Sequence, residues 1–212
     1  MLQLFHCPQT RSTRILWLLE ELGKRDEVTV KQVGIARADG SASADPRNPH
    51  PDGKVPLLVH DGAEISESAA ITLYLTDMFP QAGLGRAVGD PQRGPYLTWL
   101  HYYGGVIEPV LVVKFSSMEP DAMFTSSFRG FDEMGDRLAN ALENQPYLLG
   151  DSFSAADLLI AAPFISFAAL MPDRPVLKDW VARCAARPLF AKTSAEDQKM
   201  LENEPAGADK MT

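Results

Sequence analysis

The chain is poor in cysteine, and the cysteine it has is scattered. Its two cysteines, Cys7 and Cys184, lie near opposite ends with no pattern around them, which excludes a disulfide framework. The four histidines (His6, His50, His60 and His101) show no metal-ligand spacing with one another or with the cysteines, so no metal is expected. Basic residues are in deficit as well. A net charge of −8 excludes a general nucleic-acid or anionic-membrane surface, because counterion release needs clustered Lys and Arg. An anionic ligand must then be held by local charges, for which Arg11, Arg14 and Lys54 are the candidates. No apolar run approaches the length that spans a bilayer. Met1 leads straight into the strand-like Leu2-Gln3-Leu4-Phe5, leaving no room for a signal peptide. The expectation is a cytoplasmic protein with neither nucleic acid nor membrane as partner.

What is present is ordinary in bulk and specific in detail. The 212 residues, 45% hydrophobic and 23% charged, suffice for one large or two small domains with a real core. Residues 1–80 alternate strand and helix signals: a short apolar strand over 2–6, and a helix over about 12–22 with Ile15, Leu18, Leu19 and Leu22 on one stripe. A half-buried strand follows over 28–33, then a loop rich in Gly, Ser, Asp and Pro to residue 54. Strands at 57–60 and 64–65 flank an Asp61-Gly62 turn, and a helix spans 67–79. The order β-α-β, loop, β-β-α implies a mixed four-stranded sheet with helices packed on it. Residues 81–92, rich in Gly and Pro, are the expected linker. Residues 93–204 read as all helix, with Pro109 expected to kink a long helix over 96–115. A second long helix is expected over 122–144. Ser154 and Asp157 form a helix-start pair, flanked by Phe153 and Leu158, opening a buried helix to about Met171 that Pro163 interrupts. Further helices cover 176–186 and 189–201, and residues 205–212 are expected to fray.

The most informative stretch is Gly53-Lys54-Val55-Pro56-Leu57-Leu58-Val59, followed by Ile65-Ser66-Glu67-Ser68-Ala69-Ala70-Ile71. Val-Pro ahead of an apolar strand makes a rigid peptide that presents the preceding residue's N–H and C=O. Glu-Ser at a helix start adds a hydroxyl and free backbone N–H groups suited to a carboxylate. Together they describe a pocket for a small peptide-like zwitterion. The competing reading of Glu67-Ser68 is a simple helix-start pair, and that of Lys54 a solvated loop charge.

Taken in order, Lys54-Val55-Pro56, Glu67-Ser68 and the Ser154 to Asp157 motif resemble the cytosolic glutathione transferases. Thr10-Arg11-Ser12-Thr13-Arg14-Ile15-Leu16-Trp17-Leu18-Leu19 is similar to a bacterial and fungal branch in which a Ser-Arg pair precedes a Leu-Trp-Leu-Leu helix. The resemblance covers nearly the whole chain. It implies a thioredoxin-like α/β domain followed by an all-helical domain, and glutathione as co-substrate for attack on a small hydrophobic electrophile. A homodimer is implied too, with Tyr74 and the helices over 67–79 and 91–101 as its candidate faces. Thr10 takes the place of the Ser and is the first candidate for donor to the thiolate, with Ser12 as alternative and Arg11 as a steadying charge. Ser12 and Thr13 also read as helix caps. Lys54 would meet the glycine carboxylate, Val55 and Pro56 the cysteinyl part, and Glu67 and Ser68 the γ-glutamyl end. Tyr102, Tyr103, Glu108 and Phe115 are candidates for the second-substrate pocket, or simply core. Cys7-Pro8-Gln9-Thr10 looks like a glutaredoxin-type motif with its second thiol replaced. A Cys7-dependent glutathione thiol reductase is therefore an alternative, as is a non-catalytic module of the same fold.

Overall fold

The computed structural model describes residues 1–37, 40 and 43–203. The expected frayed segment 205–212 lies outside the described residues. Strand β1 (Leu2–His6) pairs in parallel with β2 (Val28–Gln32), and the crossover between them is helix α1 (Thr13–Glu21). On its other side β1 pairs antiparallel with β3 (Leu57–His60), which turns at Asp61-Gly62 into β4 (Ala63–Ile65). The sheet order is β2-β1-β3-β4. Helix α2 (Ser68–Met78) follows β4 directly. The expected mixed four-stranded sheet is therefore present, with the expected strands.

Helix α1 is buried further than a single stripe. Arg14 through Glu20 are all buried, and helix α9 (Pro188–Glu202) packs on α1. Phe190 meets the Trp17 ring edge-on at a centroid distance of 4.9 Å. Lys192 donates to Glu20 at 2.8 Å, and Arg25 pairs with Glu196. The chain accordingly divides into one unit of residues 1–71 with 188–212 and a second of 72–187. The expected division at 81–92 differs from this at both edges. Helix α9 packs on α1 and so joins the first unit, while most of α2 goes with the second.

The second unit is helical. It contains α3 (Arg93–Tyr102), a π-helical turn over Tyr103–Ile107, and α4 (Glu108–Phe115). Where a kink was expected at Pro109, a π turn precedes Glu108 and Pro109 stands in the first turn of α4, where a missing N–H costs little. The single helix expected over 122–144 is two helices, α5 (Ala122–Phe128) and α6 (Phe131–Leu142). Arg129 has a left-handed φ of 67°, and the Gly130 N–H donates to Glu133 Oε2 at 3.1 Å, so a new helix starts there. Helix α7 (Ala155–Ser166) passes through Pro163 uninterrupted, because that proline stands in the last turn, where one lost bond is tolerated. The helix stops short of the expected Met171. Helix α8 (Pro175–Ala185) packs beside it.

Asp157 holds the start of α7. Its Oδ2 accepts the Ser154 N–H at 2.9 Å and the Ser154 hydroxyl at 2.6 Å, as a helix-start carboxylate should. Its Oδ1 accepts the Leu148 N–H at 2.8 Å and the Trp180 indole N–H at 3.0 Å. One carboxylate thus joins the loop before α7, the first turn of α7 and the middle of α8. Burial pushes its pKa up, and the four donors oppose that push.

Candidate functional site at one end of the sheet

The strand registers place the sequence-predicted residues together. In the parallel pair His6 faces Gln32, and in the antiparallel pairs Phe5 faces Leu57 and Leu58 faces Ile65. The last residue of β1, the first of β3 and the last of β4 therefore lie at the same end of the sheet. From that end emerge the loop carrying Thr10, Arg11 and Ser12, the segment Lys54-Val55-Pro56, and the Glu67-Ser68 start of α2. Cys7 packs in one apolar cluster with Val33 and Val55, which brings the first two segments into contact.

The Val55-Pro56 peptide is cis. Val55 and Pro56 are buried and Lys54 is exposed. Its carbonyl accepts from Asn48 Nδ2 at 3.0 Å, and Asn48 Oδ1 in turn accepts the His50 N–H at 3.1 Å. Asn48 is buried and fixes this segment, a role that a loop Asn among Asp, Pro and Arg did not announce. Glu67 is exposed and adopts a left-handed φ of 69°, while its carbonyl accepts the Ile71 N–H. A non-glycine residue held there costs about 1–3 kcal/mol and marks sites where the surrounding structure needs that geometry. Ser68, which follows it, is buried.

The first loop is a hydrogen-bonded knot. The half-buried Thr10 hydroxyl donates to the Cys7 carbonyl at 2.7 Å and lies 2.8 Å from Ser12 Oγ, and the Ser12 N–H donates to Thr10 Oγ1 at 3.2 Å. Ser12 is 0% exposed. Its Oγ accepts the Cys7 N–H at 3.1 Å, donates to the Cys7 carbonyl at 3.0 Å and lies 2.7 Å from His6 Nδ1. Although Ser12 occupies the N-cap position of α1, its side chain caps nothing. Its hydroxyl is drawn back to β1 by Cys7 and His6, so the cap reading of Ser12 fails, and the residue sits behind Thr10, away from solvent. Arg11 is exposed and Arg14 is buried in the first turn of α1. Cys7 is 4% exposed, its side chain turned into the apolar cluster.

A residue absent from the sequence reasoning completes the loop. Asp197 of α9 accepts the Gln9 N–H at 2.8 Å on Oδ2 and the Thr13 hydroxyl at 3.0 Å on Oδ1, and that oxygen lies 3.0 Å from His6 Nε2. Burial acts to raise its pKa, but the contacts with His6, Gln9 and Thr13 outweigh it and leave the carboxyl below its ordinary value. No local pattern signals Asp197, since its partners lie at the far end of the sequence. Among the described residues, no grouping of three or more His, Cys, Asp or Glu could hold a metal ion.

Residues 6–78 match a family model described as "Glutathione S-transferase, N-terminal domain" and residues 121–183 one described as "Glutathione S-transferase, C-terminal domain". A relative from Schizosaccharomyces pombe, "Glutathione S-transferase 3", is 27% identical over 222 residues, covering 94% of this chain and 90% of that protein. A solved sphingomonad glutathione S-transferase in complex with glutathione is 25% identical, with a TM-score of 0.74 over 92% of this chain and 98% of that one. A glutathione transferase from Methylococcus capsulatus, 24% identical, shares the fold with a TM-score of 0.78 over 94% of this chain and 100% of that one.

Proposed function

This chain belongs to the glutathione S-transferase family, whose N- and C-terminal domain models between them match more than half of it, and from that premise we propose how its sheet end works as a glutathione transferase site. Glutathione lies across the ends of β1, β3 and β4. Its glycine carboxylate meets Lys54, its cysteinyl backbone pairs with Val55 beside Pro56, and its γ-glutamyl end rests on Glu67 and Ser68. The observation that carries this reading is the common end of the three strands. Two inter-strand spacings of about 4.8 Å separate β1 from β4, roughly 10 Å. That is about the length of a fully extended tripeptide.

The thiol then points toward Thr10. A free thiol titrates near 8.5, and only the thiolate is a good nucleophile. Lowering that value by about two units takes about 2.7 kcal/mol of extra stabilisation for the anion. The Thr10 hydroxyl proton turns from the Cys7 carbonyl to the sulfur. This exchanges a neutral bond worth about 1 kcal/mol for a charge-assisted one roughly twice as strong. The exchange contributes about 1 kcal/mol, and the N-terminal end of α1 with the Arg11 charge supplies the remainder. The thiolate attacks an electrophilic carbon of a small hydrophobic substrate; the C–S bond forms as the leaving group departs with its electron pair. The working unit is a cytoplasmic homodimer. Buried Cys7, packed against Val33 and Val55, disfavours a Cys7-dependent reductase.

The test is glutathione binding by calorimetry at about pH 6.5 and about pH 8, on either side of the range in which a stabilised thiol titrates. Binding with proton release is expected. Binding without it would refute thiolate stabilisation, and absence of binding would refute the cradle itself.

A further inference from the structure

The first unit closes on itself through α9, and the point of closure is the loop that carries Thr10. Gln9, the residue immediately before Thr10, has a left-handed φ of 55°. A side-chain-bearing residue rarely occupies that region, so something must hold it there. What holds it is Asp197 Oδ2, which takes the Gln9 N–H at 2.8 Å. The other oxygen takes the Thr13 hydroxyl, three residues past Thr10, at 3.0 Å. Asp197 therefore grips the backbone on one side of Thr10 and a side chain on the other. It does so from 4% exposure, where water competes little. Gln9 Nε2 adds a bond to Gln198 Oε1 at 3.1 Å on the same helix.

We infer that Asp197 is a positioning residue for the thiolate donor: it fixes the turn at Gln9 and the start of α1 so that the Thr10 hydroxyl faces the sulfur. This inference rests on the proposed glutathione site and adds to it a contribution from the C-terminal helix. The titratable group that meets Asp197 is His6 from β1, at 3.0 Å; its neighbour Glu196 on α9 pairs with Arg25, and Lys192 on the same helix with Glu20.

Two physical effects of Asp197 have opposite signs at the bound thiol, which makes the test decisive. As a nearby negative charge, Asp197 disfavours the thiolate, and removing the charge would lower the thiol's titration midpoint. As a positioning group, it favours the thiolate through Thr10, and loosening the loop would raise the midpoint. Asp197→Asn keeps the volume but replaces one acceptor oxygen with a donor amide, so one of the two grips is lost.

The experiment follows the ultraviolet absorbance of the thiolate in the protein–glutathione complex as a function of pH. Parent, Asp197→Asn, Thr13→Val and Glu196→Gln are compared, with thermal unfolding of each. The expected result is a midpoint raised by about one pH unit, a tenfold weaker thiol acid, in Asp197→Asn. A smaller rise is expected in Thr13→Val and none in Glu196→Gln, which loses only its pairing with Arg25. An unchanged or lowered midpoint in Asp197→Asn overturns the inference, as does an equal rise in Glu196→Gln, which would reduce Asp197 to general docking of the helix. If Asp197→Asn does not fold, Thr13→Val decides alone. A parent that binds no thiolate refutes the underlying site; a normal parent beside an unmoved Asp197→Asn refutes this inference only.

Discussion

Replacing Asp157 with alanine should cost several times what the loss of a helix cap costs. As a helix-start residue alone, Asp157 would be worth about 1 kcal/mol. The structure gives it four donors: the backbone N–H groups of Leu148 and Ser154, the Trp180 indole N–H and the Ser154 hydroxyl. The hydroxyl can rotate to another acceptor, but three N–H groups stay behind with none. Each buried unsatisfied donor costs about 1–3 kcal/mol. Water entering the small void, and relief of the burial that pushes the carboxyl's pKa up, offset part of this. The net is about 4 kcal/mol, a large share of the roughly 5–15 kcal/mol that holds a protein folded. At about 2–4 °C per kcal/mol for a chain of this length, the melting temperature should fall by roughly 8–16 °C. Thermal unfolding followed by circular dichroism measures it. Asp157→Asn, which retains one acceptor oxygen, should fall about half as far. A melting temperature for Asp157→Ala within about 3 °C of the parent would mean that the carboxylate is only a cap, and the four-donor reasoning would fail.

Ser68→Ala should weaken glutathione binding at least about tenfold while moving the melting temperature little, because it removes the hydroxyl proposed to meet the γ-glutamyl end. Calorimetry and thermal unfolding on the same preparation check this, and unchanged affinity would take Ser68 out of the site. Glu67→Gly should hold or raise stability by about 0.5 kcal/mol, since relief of the left-handed φ outweighs the added freedom of the unfolded chain. Its affinity for glutathione should nonetheless fall as the carboxylate proposed to face the ammonium is lost; a clearly lower melting temperature would contradict the strain argument. Asp197 has a depressed folded pKa, so its contribution is present above the ordinary carboxyl value and is lost as pH falls through the folded value. The parent should therefore lose melting temperature more steeply than Asp197→Asn below about pH 4, and parallel curves would count against the depressed value.

Much of this molecule is set by neighbours in sequence, and that part was readable. Alternation over 28–33, the Asp61-Gly62 turn and the Ser154–Asp157 spacing are decided within a few residues, and each produced the expected element. Val55-Pro56 and Glu67-Ser68 were readable as a rigid entry into a strand and as a helix start, because a proline before a strand and an acid with a hydroxyl before an apolar run are local chemistry. The differences arose where a distant segment decides. Ser12 carries every local sign of a cap, yet Cys7 and His6 draw its hydroxyl the other way. The stripe on α1 suggested one buried side, whereas α9 buries another. Arg129-Gly130 splits a continuous apolar pattern, because a pattern persists across a turn that only the backbone reveals. Asp197 was invisible for the same reason: nothing near it in sequence shares its role.

The placement of α9 has a consequence for the order in which the protein is made. The strands and the Thr10 loop leave the ribosome well before Asp197 does. At roughly 5–20 residues per second, the intervening helical unit separates the two by on the order of ten seconds. During that interval a nascent chain has its strand segments but lacks the carboxylate that grips Gln9 and Thr13. A chain arrested before Pro188 is left without the carboxylate contacts to Gln9 and Thr13 on either side of Thr10.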